Sequence, residues 1–358
     1  MVENTTKAYL TCFFTSNFSF FCTLLIKKFP ININIAILVL SMKDFMKAKI
    51  LLFSLFSFAC TTLLFGQQDK LITHFMYDKM SLNPGKTGID GGICATTMYR
   101  NQWDRVNGAP NSAVLNVEAD LTRFIPVNAG ISFYHDHIGF NTQNNVLLNV
   151  SYPLEIPYVG TLGFGLGIGI VNFGMNPEWV PPTTMNDASL PSEFSGTNLD
   201  LNFGIYFKDE DNRFYAGLSS THLSESAILG VSLESSQISY NTARHYYAMG
   251  GYTFKDIGDG DIEANALIRT DLIKVSADIN ARYIWKNIAY GGLTYRNSDA
   301  LAVMLGYKPI RNLTIGYSYD VSINKLASVS RGSHEIMLRY CYYLPPAPIM
   351  KSKHPRWL

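Results

Sequence analysis

The sequence predicts an all-β fold, a transmembrane up-and-down antiparallel β-barrel of about 14 strands behind a cleaved N-terminal signal peptide. Three observations carry this. The composition is poor in charge and rich in aromatics, apolar and polar residues alternate with period two, and the connections are short at one end of the strands and long at the other.

Charged residues make up 16% of the 358 residues, against roughly 25% in soluble proteins, while Tyr (21) and Phe (22) are abundant. Such a chain buries too much apolar surface to be disordered, and lacks the repeats of collagen or a coiled coil. A net charge of +1 provides no basic stripe for neutralising phosphates, which excludes a nucleic-acid binder. What fits is a surface that faces lipid.

The N-terminus reads as targeting sequence. Met46-Lys47-Ala48-Lys49 precedes an uncharged, largely apolar run from Ile50 to Phe65, and Gly66 leads into polar residues. Residues 46–66 are therefore expected to be a signal peptide, and residues 1–45 a non-native upstream extension. Past residue 66 the chain holds 23 basic and 26 acidic residues and two cysteines, Cys94 and Cys341. Residues 67–87 are assigned to a periplasmic N-terminal segment, 88–344 to the barrel and 345–358 to a periplasmic tail.

The strands follow in order, starting near Ile89, Ser112, Ala129, Asn144, Gly160, Thr197, Arg213, His245, Asp261, Lys274, Ala289, Ala300, Leu313 and His334. The alternation is clearest from Lys274 to Trp285. There Val275, Ala277, Ile279, Ala281, Tyr283 and Trp285 share one face, and Lys274, Ser276, Asp278, Asn280 and Arg282 the other. In the fifth strand Gly163, Gly165, Gly167 and Gly169 face one way and apolar residues the other, so the repeat is a strand with a glycine face and not a nucleotide-binding turn. A glycine face leaves room for an inward-folded loop.

Connections after even strands are short, as at 208–212 and 285–287, whereas those after odd strands include the long ones, 101–111, 176–196, 221–244 and 322–333. Outer-membrane barrels have this asymmetry, and an even strand number closes the sheet without a free edge.

Little in the chain resembles catalytic chemistry. His135 and His137 fall on one face of a strand end, as a metal pair would, but no third ligand adjoins them, so a polar strand end or loop is expected. There is no H-E-x-x-H or G-x-S-x-G, and a surface hydrolase built from dispersed residues is only a third reading. No cofactor or metal is expected. Closure would make the first and last strands neighbours, but Cys94 then lies mid-strand and Cys341 near the short-turn end, so two free thiols are expected.

Several segments, in order, resemble one family. They are Asp78 to Pro84, Met98-Tyr99-Arg100-Asn101-Gln102-Trp103, Gly108-Ala109-Pro110, His135-Asp136-His137-Ile138-Gly139, the glycine-rich strand, Gly217-Leu218-Ser219 with Thr221-His222-Leu223, Ser333 to Leu338, and the tail His354-Pro355-Arg356-Trp357-Leu358. The chain resembles the PorP/SprF family of type IX secretion system membrane proteins. It departs at Gly85-Lys86-Thr87, where the family usually continues Ala-Tyr-Ala-Gly, and at His135, where Asn is common.

The resemblance implies a non-enzymatic outer-membrane protein of the Bacteroidota, serving type IX secretion and gliding motility. Its implied partners are a secreted cargo with a C-terminal sorting domain, a periplasmic ring lipoprotein with peptidoglycan-associated components, and outer-membrane lipid. Arg100 and Trp103, heading a long loop, suit a docking surface. Equally, Arg100, Asn101 and Gln102 suit anchoring of that loop inside the lumen. The proline-rich tail suits a periplasmic partner. A channel for small solutes is the alternative, in which Lys274, Asp278, Arg282, Glu263, Asn265 and Arg269 line water instead of pairing with an inserted loop.

Overall fold

The computed structural model describes residues 11–15, 19–23, 69–178, 193–225, 227–231 and 237–345. The expected signal peptide and the tail residues Pro355, Arg356, Trp357 and Leu358 lie outside the described residues. In the N-terminal unit, residues 1–63, β1 (Thr11–Thr15) pairs antiparallel with β2 (Ser19–Thr23).

In the second unit, fourteen strands form a closed antiparallel barrel. They are β3 (Ile93–Asn101), β4 (Asn111–Ala119), β5 (Asn128–Ile138), β6 (Asn141–Ile156), β7 (Gly160–Met175), β8 (Phe194–Asp209) and β9 (Phe214–Thr221). After a hairpin of β10 (Ala227–Val231) and β11 (Gln237–Asn241) come β12 (His245–Ile257), β13 (Gly260–Thr270), β14 (Val275–Trp285), β15 (Ala289–Arg296), β16 (Ala300–Ile310), β17 (Leu313–Ser322) and β18 (Ser333–Tyr342). β18 pairs with β3 to close the wall.

The faces are inverted relative to a water-soluble protein. On β14, Val275 and Ile279 are 63% and 60% exposed, whereas Asp278 and Asn280 are 0% and 1% exposed. Apolar side chains thus point outward to lipid and polar ones into the lumen, the arrangement of an outer-membrane barrel. Among the described residues no helix is long and apolar enough to cross a membrane.

Two expectations about the seam require correction. The first strand begins at Ile93 instead of Ile89, because Gly88, Gly91 and Gly92 all have positive φ (70°, 78° and 71°) and break the extended run. That shift places Cys94 at the short-turn end, directly opposite Cys341, with Cα atoms 4.1 Å apart. The two cysteines are therefore not free thiols but a disulfide across the seam. Oxidised and reduced protein, both heat-unfolded, are expected to migrate differently in gels, since the bridge closes a loop of 247 residues. A Cys94→Ser, Cys341→Ser double variant is expected to lose roughly 2–4 kcal/mol of stability. Equal mobility with and without reductant would disprove the bridge.

The segment expected outside the barrel lies within it. Residues 69–92 run through the lumen as two 3₁₀ turns (Phe75–Tyr77 and Pro84–Lys86) flanking the single α-helical turn α1 (Lys79–Leu82). Ile72, Phe75, Met76 and Leu82 pack with the inward-facing Met98, Met304 and Met337 of the wall. The apolar core therefore sits between this plug and the inner wall. The reason is chemical: a polar lumen can be filled by a segment with matching donors and acceptors, because every buried polar group needs a partner.

Candidate functional site

The plug is held by an alternating chain of buried arginines and carboxylates. Arg100 on β3 donates to Asp320 on β17 (2.7 Å), to Glu335 on β18 (3.1 Å) and to the Thr73 hydroxyl (2.8 Å). The Glu335 carboxylate also accepts the backbone N–H groups of Thr73 and His74, both at 2.8 Å, while Thr73 Oγ1 donates to Asp320. Arg296 reaches Asp320 at 3.3 Å and Asp278 at 3.2 Å, and Asp278 pairs with Arg269, which donates to the Lys70 carbonyl at 3.1 Å. Each charge has a partner of opposite sign, the condition under which buried ions are tolerated.

Deeper in the lumen, Asn116 and Lys70 bind Asp78, and the Asn83 amide donates to the Ile205 carbonyl at 2.9 Å. Lys86 pairs with Glu118 and, at 2.9 Å, with Asp90, which also takes Lys208 at 2.9 Å. Arg282 pairs with Glu263 (2.8 Å) and stacks 4.8 Å from the Tyr77 ring centroid, a cation–π contact to the plug. Plug residues thus descend from the long-loop end at Asp69 to the short-turn end at Asp90.

The glycine face of β7 makes this passage possible. A Cβ at Gly163 would overlap the Gly85 carbonyl, and one at Gly165 would overlap Pro84. Gly167 faces the Asn149 and Asn202 side chains, and Gly169 lies against the Val146 carbonyl of β6. The inserted piece is the N-terminal segment and not a loop between strands.

At the long-loop end, around Asp69, lies a cavity of about 510 Å³ lined by Asp69, Gln102, Trp103, Asp136, Arg296 and Lys274, among others. Its rim is tied across three connections. Trp103 N–H donates to Ser333 Oγ (3.1 Å), Asp104 N–H to the Gly332 carbonyl (2.8 Å), and Gly139 N–H to the Gly108 carbonyl (2.9 Å). Gly108 has φ 72° and Trp103 itself φ 51°, so the rim loop is held in a conformation that non-glycine residues avoid.

The expected site residues separate clearly. Arg100 is 1% exposed and Gln102 5%, so neither offers a docking surface, whereas Tyr99 points outward at 53%. Asn101 is half-buried and pairs with Asn111 on β4. Ala109 N–H bonds the Val106 carbonyl, and the Pro110 carbonyl accepts from Gln102 N–H. Asp136 points inward to Ser112 (2.6 Å), while His135 faces the other way and binds Asn144 (2.7 Å). Asp278 and Arg282 are buried in the lumen. Lys274, expected on the lumen wall, instead lies exposed in the β13–β14 connection at the cavity rim, because β14 begins at Val275 and Asp271 Oδ1 caps the Lys274 N–H at 2.7 Å.

Thr73, His74, Asp320 and Arg296 escaped sequence reasoning. For Asp320 and Arg296 the signal, an inward charge on one strand with an opposite inward charge on another, becomes visible only once the strands are placed side by side; Thr73 and His74, in the plug, carry no such signal.

A search of curated proteins returned no match. Among solved structures, the chain is similar to the CymD monoaromatic hydrocarbon channel, with a TM-score of 0.46 and 11% identity over 75% of this chain and 93% of that one. It is also similar to the Acinetobacter baumannii outer membrane protein Omp33, with a TM-score of 0.42 and 8% identity over 72% of this chain and 100% of that one. The P. putida toluene transporter TodX gives a TM-score of 0.39 and 8% identity over 74% and 93%. The model of the type IX secretion system membrane protein family PorP/SprF matches residues 64–340, taking in the plug and nearly all of the barrel, and the chain belongs to that family of outer-membrane proteins.

Proposed function

We propose that the protein is a non-enzymatic component of the type IX secretion and gliding system that helps secrete a cargo protein, or retains it at the cell surface, through the cargo's C-terminal domain. The cavity at the long-loop mouth is the docking place, and Trp103 its main apolar contact. The short turns and the tail meet the periplasmic ring lipoprotein. One observation carries this reading: the lumen is occupied by a hydrogen-bonded, ion-paired plug, while the mouth above it is concave. A solute channel needs a continuous wet path, which this plug opposes.

The test is purification of the tagged protein from native outer membranes in mild detergent, with mass spectrometry of what remains bound. A stoichiometric secreted protein is expected, and Trp103→Ala is expected to weaken its retention without altering the heat-modifiable gel mobility of the barrel. A solitary barrel that conducts ions in planar bilayers would overturn the proposal in favour of the channel.

A further inference from the structure

In the plug, Asp69 meets two imidazoles that the proposed function leaves unused. His222 directly follows β9, and His245 opens β12 across from Thr221, so adjacent strands bring the rings to a centroid distance of 6.1 Å. One ligand atom from each of Asp69, His222 and His245 lies within 4.8 Å of the others. Both residues are 7% exposed.

The surroundings orient them. His222 Nδ1 is 3.0 Å from Asp200 Oδ1, and His245 Nδ1 is 2.9 Å from the Ala243 carbonyl. Each acceptor places the ring proton on Nδ1 and leaves the Nε2 lone pair as the donor, the outer-shell arrangement that prepares histidines for a metal. The His222 backbone is held at φ 55°, with its N–H given to Asn202 Oδ1 at 2.9 Å. That is a strained conformation for a residue other than glycine. Asp69 accepts the Tyr247 hydroxyl and the Lys70 N–H, and each of its oxygens retains a second lone pair. Asp69 also lines the mouth cavity, where water could occupy a fourth position.

We propose that Asp69, His222 and His245 form a divalent transition-metal site of the zinc class, which fastens the plug at Asp69 to the β9–β12 rim. Two imidazoles and a carboxylate suit zinc, whose bonds of about 2.0–2.1 Å require the three atoms to draw together by on the order of 1 Å. The ion links the plug at Asp69 to the wall at the end opposite Lys86 and Asp90.

The probe is Zn²⁺ itself, added to the full-length protein carrying a histidine-free tag, after chelation and desalting. One zinc per chain is expected by elemental analysis. His222→Gln and His245→Gln are each expected to lower retained zinc at least tenfold, and His135→Gln to leave it unchanged. Zinc should also raise the unfolding temperature of the wild type and not of the His222→Gln variant. Failure of the wild type to retain zinc, or retention by His222→Gln and His245→Gln equal to that of the wild type, would overturn the site. Should the variants not fold, Co²⁺ loaded into the wild type reports directly: an intense four-coordinate visible spectrum supports the site, and a weak hexaaqua-like one overturns it.

Discussion

Arg100→Ala is expected to release the plug. The substitution leaves Asp320 and Glu335, exposed 1% and 0%, without the cation that joins them, and it removes a donor to Thr73. Removing one partner of a buried pair typically costs about 3–5 kcal/mol, because the remaining charge stays desolvated. The expected readouts are a lower temperature for the heat-modifiable gel transition and new proteolytic cleavage within residues 69–92. Arg100→Lys should rescue only in part, since one ammonium cannot match a guanidinium fork between two carboxylates. Unchanged protection of the plug in Arg100→Ala would mean that this ion network is incidental to its seating.

Gly165→Val is expected to displace the plug in a different way. The new side chain must occupy the place of the Pro84 backbone, which cannot rotate aside as a flexible side chain can. Overpacking usually costs about 1–3 kcal/mol, and here relief comes by expelling the plug. The wild-type barrel is expected to be silent in planar bilayers and Gly165→Val to conduct. Gly250→Ala is the control, because its Cβ meets only the Tyr215 carbonyl at an ordinary 3.5 Å. A closed, fully stable Gly165→Val barrel would show that the β7 glycines do not make room for the plug. Arg100→Ala tests the electrostatic hold and Gly165→Val the steric fit, so the two results are independent.

Much of the barrel was legible in the sequence because a strand in a membrane wall answers to two solvents at once. Its residues must alternate between lipid and lumen, and that local rule prints Val275, Ile279 and Tyr283 against Asp278, Asn280 and Arg282. Later strands such as β15, β16 and β17 begin at the expected residues, since tight turns mark them. The plug left no such mark. Asp69 to Thr87 has no period, and its buried Thr73, His74 and Asp78 look like any polar linker until Glu335, Asp320 and Asn116 are brought around them.

The cysteine pair shows the same division. That Cys94 and Cys341 lie on the first and last strands follows from order along the chain, but their pairing depends on a register offset of a few residues, set by the positive-φ glycines before β3. Arg100 is similar: the sequence marks it as a residue with two candidate roles, and only burial against three partners distinguishes anchoring from docking. By itself the sequence determined the barrel, its strand number and which faces meet lipid, because these depend on neighbours along the chain. The tertiary structure alone decided what fills the lumen, which charges pair and where the seam is bridged, because each of these joins groups on different segments that only the closed barrel brings together, some of them more than 200 positions apart, as Thr73 and Glu335 or Cys94 and Cys341 are.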